Sequence, residues 1–260
     1  MVLRGLPHGR EDVLRLQLNV FNAHQHSRSS TDWARARSAG LTGAVLAGVG
    51  PSDWDPMDAA ARHGRHWCIG LHPWWVDESS DSEIADALAE LSARLERGGP
   101  IAVGECGLDH VRCRDAHARK RQARVLSAQF DLARAHALPV VLHVVRATGA
   151  ALQGARDARL ARGGLVHGFV GSLETAWQWH RLGFLLGIGP AIHRSRRLRD
   201  ALVALPSSSF VVESDDADPA SELPAVRDAI ARLRGEDPDH TARYTEENAR
   251  RLFGLPGRSA

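Results

Sequence analysis

Ile101-Ala102-Val103-Gly104-Glu105 is a short apolar run that ends on an acid. Pro139-Val140-Val141-Leu142-His143 has the same form and ends on a histidine, as does Gly164-Leu165-Val166-His167. Such runs are rich in branched residues and lack a polar alternation, which is how strands buried on both faces read. Eight can be placed along the chain: Leu18–Ala23, Gly43–Val49, His66–Leu71, Ile101–Glu105, Pro139–His143, Gly164–His167, Phe184–Ile188 and Phe210–Glu213. Helical stretches separate them. Asp81–Arg97 carries Ile84, Leu88, Leu91 and Leu95 near a 3.6-residue period. Asp115–Ala137, Ser172–Leu182, Ser195–Leu205, Leu223–Leu233 and Thr241–Phe253 are further predicted helices, and Ser172, Glu174 and Thr175 suggest a capping box. Alternating strands and helices predict an α/β fold with a parallel sheet and right-handed connections. With 260 residues, the expected architecture is one (β/α)8 TIM barrel of outer helices around eight strands. The barrel is expected to fill the chain as a single domain, residues 1–17 forming an N-terminal extension.

In such a barrel the carboxyl ends of the strands converge on one mouth. His24, His26, Glu105, His143, His167 and Asp215 all fall at or just beyond those ends. A cluster of imidazoles and carboxylates binds divalent metals and activates water. His24 and His26 are two apart, so on a strand both imidazoles face one side. Glu105 is the natural bridge between two ions, because a carboxylate has two oxygens. His143 and His167 could serve a second ion. Asp215 could bind the first ion and take a proton from water, or cap the helix that follows.

At these residues the chain resembles the TatD-like metal-dependent hydrolases of the amidohydrolase superfamily, from about Asn19 to Leu255. Phe21-Asn22-Ala23-His24-Gln25-His26 resembles the family's Phe-Asp-x-His-x-His. Gly70-Leu71-His72-Pro73 and Gly104-Glu105-Cys106-Gly107-Leu108-Asp109 are similar to its Gly-[Ile/Leu]-His-Pro and Gly-Glu-x-Gly-Leu-Asp. Leu138–His143, Val166–Gly171, Glu213-Ser214-Asp215 and Asn248–Phe253 follow in the family's order. The resemblance implies two divalent ions, Mg, Mn or Zn. His24, His26, Glu105 and Asp215 would hold one, and Glu105, His143 and His167 the other, with Asp215 also the base. It implies phosphodiester hydrolysis at DNA ends, of the 3′-exonuclease type, on single-stranded DNA or duplex ends.

The chain also departs from that pattern. Asn22 stands where an aspartate is usual, Val145 where an arginine would contact phosphate, Val170 in place of a serine, and Asp216-Ala217 in place of Ala-Pro. Other cations must then meet a phosphate, and Arg112, Arg114 and Arg146 are the nearest in sequence. His72 is expected to touch substrate phosphate. Trp74 could stack on an unpaired base or pack the barrel rim, as could Trp75.

Two other readings stand beside the nuclease: a hydrolase of small esters, amides or lactones, and an accessory subunit with little activity. Thirty-three basic against 31 acidic residues do not describe a highly charged nucleic-acid scaffold. Cys68, Cys106 and Cys113 form no zinc-knuckle or disulfide pattern and read as buried thiols. No apolar run approaches the ~18 residues of a membrane span, and Met1–Asn19 has no secretory apolar core. A cytoplasmic location is expected, and the sequence names no protein partner.

Overall fold

The eight apolar runs become eight parallel strands, hydrogen-bonded in chain order. They are β1 (Val20–Gln25), β2 (Leu41–Leu46), β3 (Arg65–Ile69), β4 (Ala102–Asp109), β5 (Val140–Val145), β6 (Gly164–Val166), β7 (Phe184–Ile188) and β8 (Phe210–Val212). Ten α-helices among the described residues connect and surround them: α1 (Ser30–Ser38), α2 (Pro51–Ala60), α3 (Pro73–Glu78), α4 (Asp81–Arg97), α5 (Ala116–Ala135), α6 (Thr148–Ala158), α7 (Leu173–Arg181), α8 (Arg196–Ala204), α9 (Pro219–Arg234) and α10 (Pro238–Phe253). This computed structural model describes residues 19–26, 28–62, 64–113, 115–215 and 218–257. The expected N-terminal extension, Arg114 and Asp216-Ala217 lie outside the described residues. The architecture is the expected TIM barrel.

The seam between β8 and β1 closes at the carboxyl end. The Asp215 N–H donates to the His24 carbonyl at 3.2 Å, and the His26 N–H donates to the Asp215 carbonyl at 3.4 Å. Asp215 adopts a left-handed φ of 56°, a region aspartate tolerates better than most residues. Barrel closure thus sets Asp215 beside the two histidines.

The apolar residues sort into two layers. Phe21, Ala23, Val45, Ala47, Cys68, Ala102, Val141, Leu165, Leu185 and Val211 fill the barrel interior. Ala249, Leu252 and Phe253 of α10 join them, and Asn248 Nδ2 donates to the Ser207 and Phe210 carbonyls at the start of β8. That helix therefore plugs the amino end, opposite the mouth. The second layer lies between strands and helices and contains Val103, Cys106 and Leu108 of β4.

Those three residues reveal how Glu105 enters the barrel. Strict alternation from Ala102, which faces the interior, would send Gly104 and Cys106 inward and Glu105 outward. The β4–β5 register instead shifts between Val103 and Cys106. The extra residue of a bulge flips the alternation, so Cys106 and Leu108 face the helices while Glu105 and Asp109 face the mouth. Glycines permit it. At Gly107 (φ 152°) a Cβ would lie 1.9 Å from the His143 carbonyl oxygen, so only glycine allows β4 to approach β5 there.

Strand ends differ by up to four residues from the sequence reading. The β1 strand runs on to Gln25, which pairs with Leu46, and β4 runs to Asp109, which pairs with Val145. Helices α1, α2, α3 and α6 have no counterpart in that reading. In α1 only Ala36 is buried, so no apolar stripe marks it. The capping box lies at Ser80 and Glu83, where each side chain meets the other's backbone N–H. At Ser172 the hydroxyl accepts from the Thr175 N–H, with no reciprocal glutamate. No helix among the described residues is long and apolar enough to cross a membrane.

Candidate metal centre

Four side chains from β1, the β1–α1 loop, β4 and the β8 end bring donor atoms to one point. His24 Nε2 lies 3.3 Å from His26 Nε2, 3.3 Å from Glu105 Oε2 and 3.5 Å from Asp215 Oδ1. His26 Nε2 lies 3.3 Å from Glu105 Oε2 and 3.4 Å from Asp215 Oδ1. Donors held tetrahedrally at the ~2.0–2.2 Å usual for zinc are about 3.4 Å apart. The donor set therefore fits a small divalent ion. Glu105 Oε2 is buried and makes no hydrogen bond, although an ionised oxygen is costly to bury without a partner.

The other oxygen of Glu105 faces a second group. Oε1 lies 2.8 Å from His167 Nε2 and 3.0 Å from His143 Nδ1, and those nitrogens are 3.2 Å apart. The His24 and His167 rings stack at 4.2 Å, joining the two groups. One fully buried carboxylate thus divides its oxygens between two pairs of imidazoles.

Surrounding residues set the tautomers. His26 Nδ1 lies 3.0 Å from the Ala47 carbonyl, so this nitrogen carries a proton and Nε2 is the atom that would meet an ion. His143 Nε2 is 3.3 Å from Asp109 Oδ2, which leaves Nδ1 to face Glu105 and His167. Asp109 is itself fixed by the Val111 and Arg112 N–H groups and by Trp74 Nε1 at 2.7 Å. His72 Nδ1 accepts the Trp74 N–H, so its proton sits on Nε2, 3.2 Å from Glu105 Oε1. His72 lines the cavity, but its contact is a hydrogen bond that steadies Glu105. Asn22 is buried. Its Oδ1 accepts the Ser214 N–H, and its Nδ2 donates to Ser214 Oγ and Gln25 Oε1. An aspartate could not make those two donations, so the Asn22 departure serves the β1–β8 seam.

Electrostatics follow from the crowding. Burial opposes charging His24, but the Glu105 charge and the Asp215 and Glu105 contacts outweigh it and carry the imidazole up to about 9. Burial likewise opposes charging His26, yet contacts with Asp215 and Glu105 push it to about 11. Burial would raise Glu105, but the imidazoles around it hold it well below the usual carboxylate range. Asp215 is lowered against burial by His24 and His26. Protons thus compensate the carboxylates where the donor geometry suits cations.

A cavity of about 290 Å³ opens over these residues and is lined also by Arg28, Asp53, Ala47, Val49 and Trp74. Trp74 lines it with its indole N–H committed to Asp109. Arg112 lies outside the lining, its guanidinium 4.1 Å over the Trp74 ring. Arg146 is exposed and also outside the lining. Val170 is exposed. Cys106 is buried in the sheet–helix layer, away from the mouth. Sequence reasoning gave no role to Asp109, although it closes the Gly-Leu-Asp motif, nor to Arg28, two residues beyond His26.

The chain is 31% identical over 239 residues to an uncharacterised metal-dependent hydrolase, YjjV, of Escherichia coli, covering 85% of this chain and 90% of that one. It is 30% identical over 253 residues to a 3′-5′ ssDNA/RNA exonuclease TatD of Rahnella sp., covering 86% and 91%. The crystal structure of the E. coli YjjV protein, a TatD homologue, superposes with a TM-score of 0.82 at 27% identity, covering 92% of this chain and 99% of that one. A hydrolase TatD family protein from Entamoeba histolytica superposes at 0.76 with 14% identity, covering 90% and 97%, and shares the fold. The profile of the family described as TatD related DNase matches residues 18–254. The chain therefore belongs to that family of metal-dependent hydrolases.

Proposed function

We propose that this protein is a two-metal phosphodiesterase that trims single-stranded DNA from its 3′ end. The observation that carries the reading is Glu105, whose two oxygens serve two groups of imidazoles. His24, His26, Glu105 and Asp215 would hold one ion, and Glu105, His143 and His167 the other. When bound, such ions polarise a phosphoryl oxygen and acidify water. Imidazole-rich ligation at tetrahedral spacing favours zinc over magnesium or manganese. Asp215 accepts the proton of the attacking water, its carboxylate being the partly exposed one of the cluster. His72 and Asp109 hold Glu105 and His143 in place. The relatives named as ssDNA/RNA exonucleases support the substrate class. So does the segment after β7, where His193, Arg194, Arg196 and Arg197 stand exposed on the mouth side of the barrel.

The test is incubation of protein loaded with Zn²⁺, Mg²⁺ or Mn²⁺ with end-labelled single- and double-stranded DNA, beside a panel of small esters and lactones. A ladder shortening from the 3′ end is expected. Intact DNA with all three ions, together with ester or lactone hydrolysis, would establish the small-substrate reading. That reading has one observation in its favour, since neither Arg112 nor Arg146 lines the cavity.

The metal assignment has a pH signature. Ligation needs unprotonated nitrogens, whereas His24 and His26 in the metal-free protein keep their protons up to about 9 and about 11. Uptake therefore releases protons. Zinc affinity is expected to weaken as pH falls below about 11, by about tenfold per pH unit while His26 alone must give up a proton, and more steeply below about 9, where His24 must as well. Chelator competition across pH, with proton release measured in dilute buffer, checks this. Uptake without proton release would remove His24 and His26 from the ligand set.

A further inference from the structure

A phosphodiester entering this cavity carries negative charge towards Glu105 and Asp215. Among the described residues that line the cavity, Arg28 is the sole arginine or lysine. It sits on the β1–β2 side, two residues beyond His26. Its Nη1 donates to Asp53 Oδ1, and Asp53 Oδ2 accepts the Val49 N–H at 2.8 Å. The start of α2 therefore fixes the carboxylate, and the carboxylate fixes the guanidinium. A guanidinium has five N–H donors in a planar fork. The Arg28 side chain is 40% exposed, and its other N–H groups have no partner among the described residues. An exposed ion pair adds little to stability, so bracing a loop is a weak reason for an arginine in this wall.

We propose that Arg28, braced by Asp53, forms the anion subsite of the cavity and binds a non-bridging oxygen of the substrate's phosphodiester. The subsite rests on the phosphodiesterase reading, since it is the arriving phosphate that Arg28 meets. Bidentate guanidinium–phosphate contacts are among the stronger hydrogen bonds. The cation lies on the wall beside the first histidine group, while Val145 stands on β5 across the mouth. Arg28 is thus a binding residue whose loss raises KM and spares the chemical step.

The experiment compares Arg28→Gln, Arg28→Lys and Asp53→Asn with wild type, all metal-loaded. Its readouts are kcat and KM on single-stranded DNA, inhibition by inorganic phosphate, and metal content by elemental analysis. Arg28→Gln is expected to raise KM and the phosphate inhibition constant by about tenfold, with kcat within about threefold and metal content unchanged. The salt dependence of DNA binding should fall by about 0.7 in log–log slope, one phosphate contact on a single strand. Arg28→Lys recovers part of the affinity, because the charge survives without the fork. Asp53→Asn keeps the cation but loosens its brace, and should lose only part of the phosphate affinity, less than Arg28→Gln does. Equal losses in Arg28→Gln and Asp53→Asn would make the pair a loop brace and overturn the subsite, as would unchanged phosphate inhibition in Arg28→Gln. If wild type leaves DNA intact, phosphate binding is titrated directly by calorimetry. Weaker binding in Arg28→Gln than in Asp53→Asn would then uphold the subsite while the nuclease reading falls.

Discussion

Replacing Glu105 with alanine is expected to cost about 10³-fold in turnover and to empty both metal positions. The expectation rests on where the two carboxylate oxygens lie. Oε2 is 3.3 Å from both His24 and His26, and Oε1 is 2.8 Å from His167 and 3.0 Å from His143. Without the carboxylate, His143 and His167 remain as two imidazoles with no anionic ligand between them. The other group keeps two imidazoles and Asp215. Charge stabilisation by bound metal is worth several kcal/mol, and each ~1.4 kcal/mol is tenfold in rate, which sets the size. Metal per chain by elemental analysis should fall more steeply than in His143→Ala, which leaves the first group intact. Glu105 is fully buried, so circular dichroism must accompany the measurement. Glu105→Gln supplies a variant of nearly the same volume. If folded Glu105→Ala binds as much metal as wild type, the shared carboxylate is not the bridge, and the two-ion reading fails with it.

Much of the barrel is legible in the sequence because strands buried on both faces are short apolar runs with polar residues only at their ends. His143 and His167 stand out for that reason. The inward turn of Glu105 is harder to see. It depends on a bulge between Val103 and Cys106, and the local signs are Gly104 and Gly107 on either side of the acid. Helices such as α1 escape because a helix that buries one alanine writes no periodic stripe. Contacts across the mouth escape for a different reason. Arg112 is close to the site in sequence, yet its guanidinium lies over the Trp74 ring and outside the cavity lining. Arg28 reaches the cavity because Asp53, 25 residues away, holds its guanidinium. The commitment of Trp74 Nε1 to Asp109, 35 residues on, is equally tertiary. It turns an indole that sequence could read as a free stacking platform into part of the brace on His143. Histidines and acids at strand ends are flagged by local motifs, whereas the cavity walls are assembled from distant loops, so the first are readable and the second are not.

Asp215→Asn should lower kcat by at least ~10²-fold while leaving the fold intact. Asparagine suits this position better than any other replacement. The residue sits at φ 56°, and asparagine, like aspartate, tolerates the left-handed region. The seam to β1 uses only its main-chain N–H and carbonyl, which the substitution does not touch. Circular dichroism and thermal unfolding should therefore match wild type. What changes is the side chain beside His24 and His26, at 3.5 and 3.4 Å. An amide cannot take a proton from water near neutral pH, and it is a poorer ligand than a carboxylate. General-base removal costs ~10²–10⁴-fold. The lower end applies here, because the neighbouring imidazoles hold Asp215 below the usual carboxylate range and make it a weak proton acceptor. The second metal should remain, since Glu105, His143 and His167 keep their mutual contacts. A variant that is folded, holds at least one ion and has lost turnover assigns the loss to Asp215. Turnover within a factor of ~3 of wild type would be too small a loss for a general base, and Asp215 would then be a residue of the barrel seam alone.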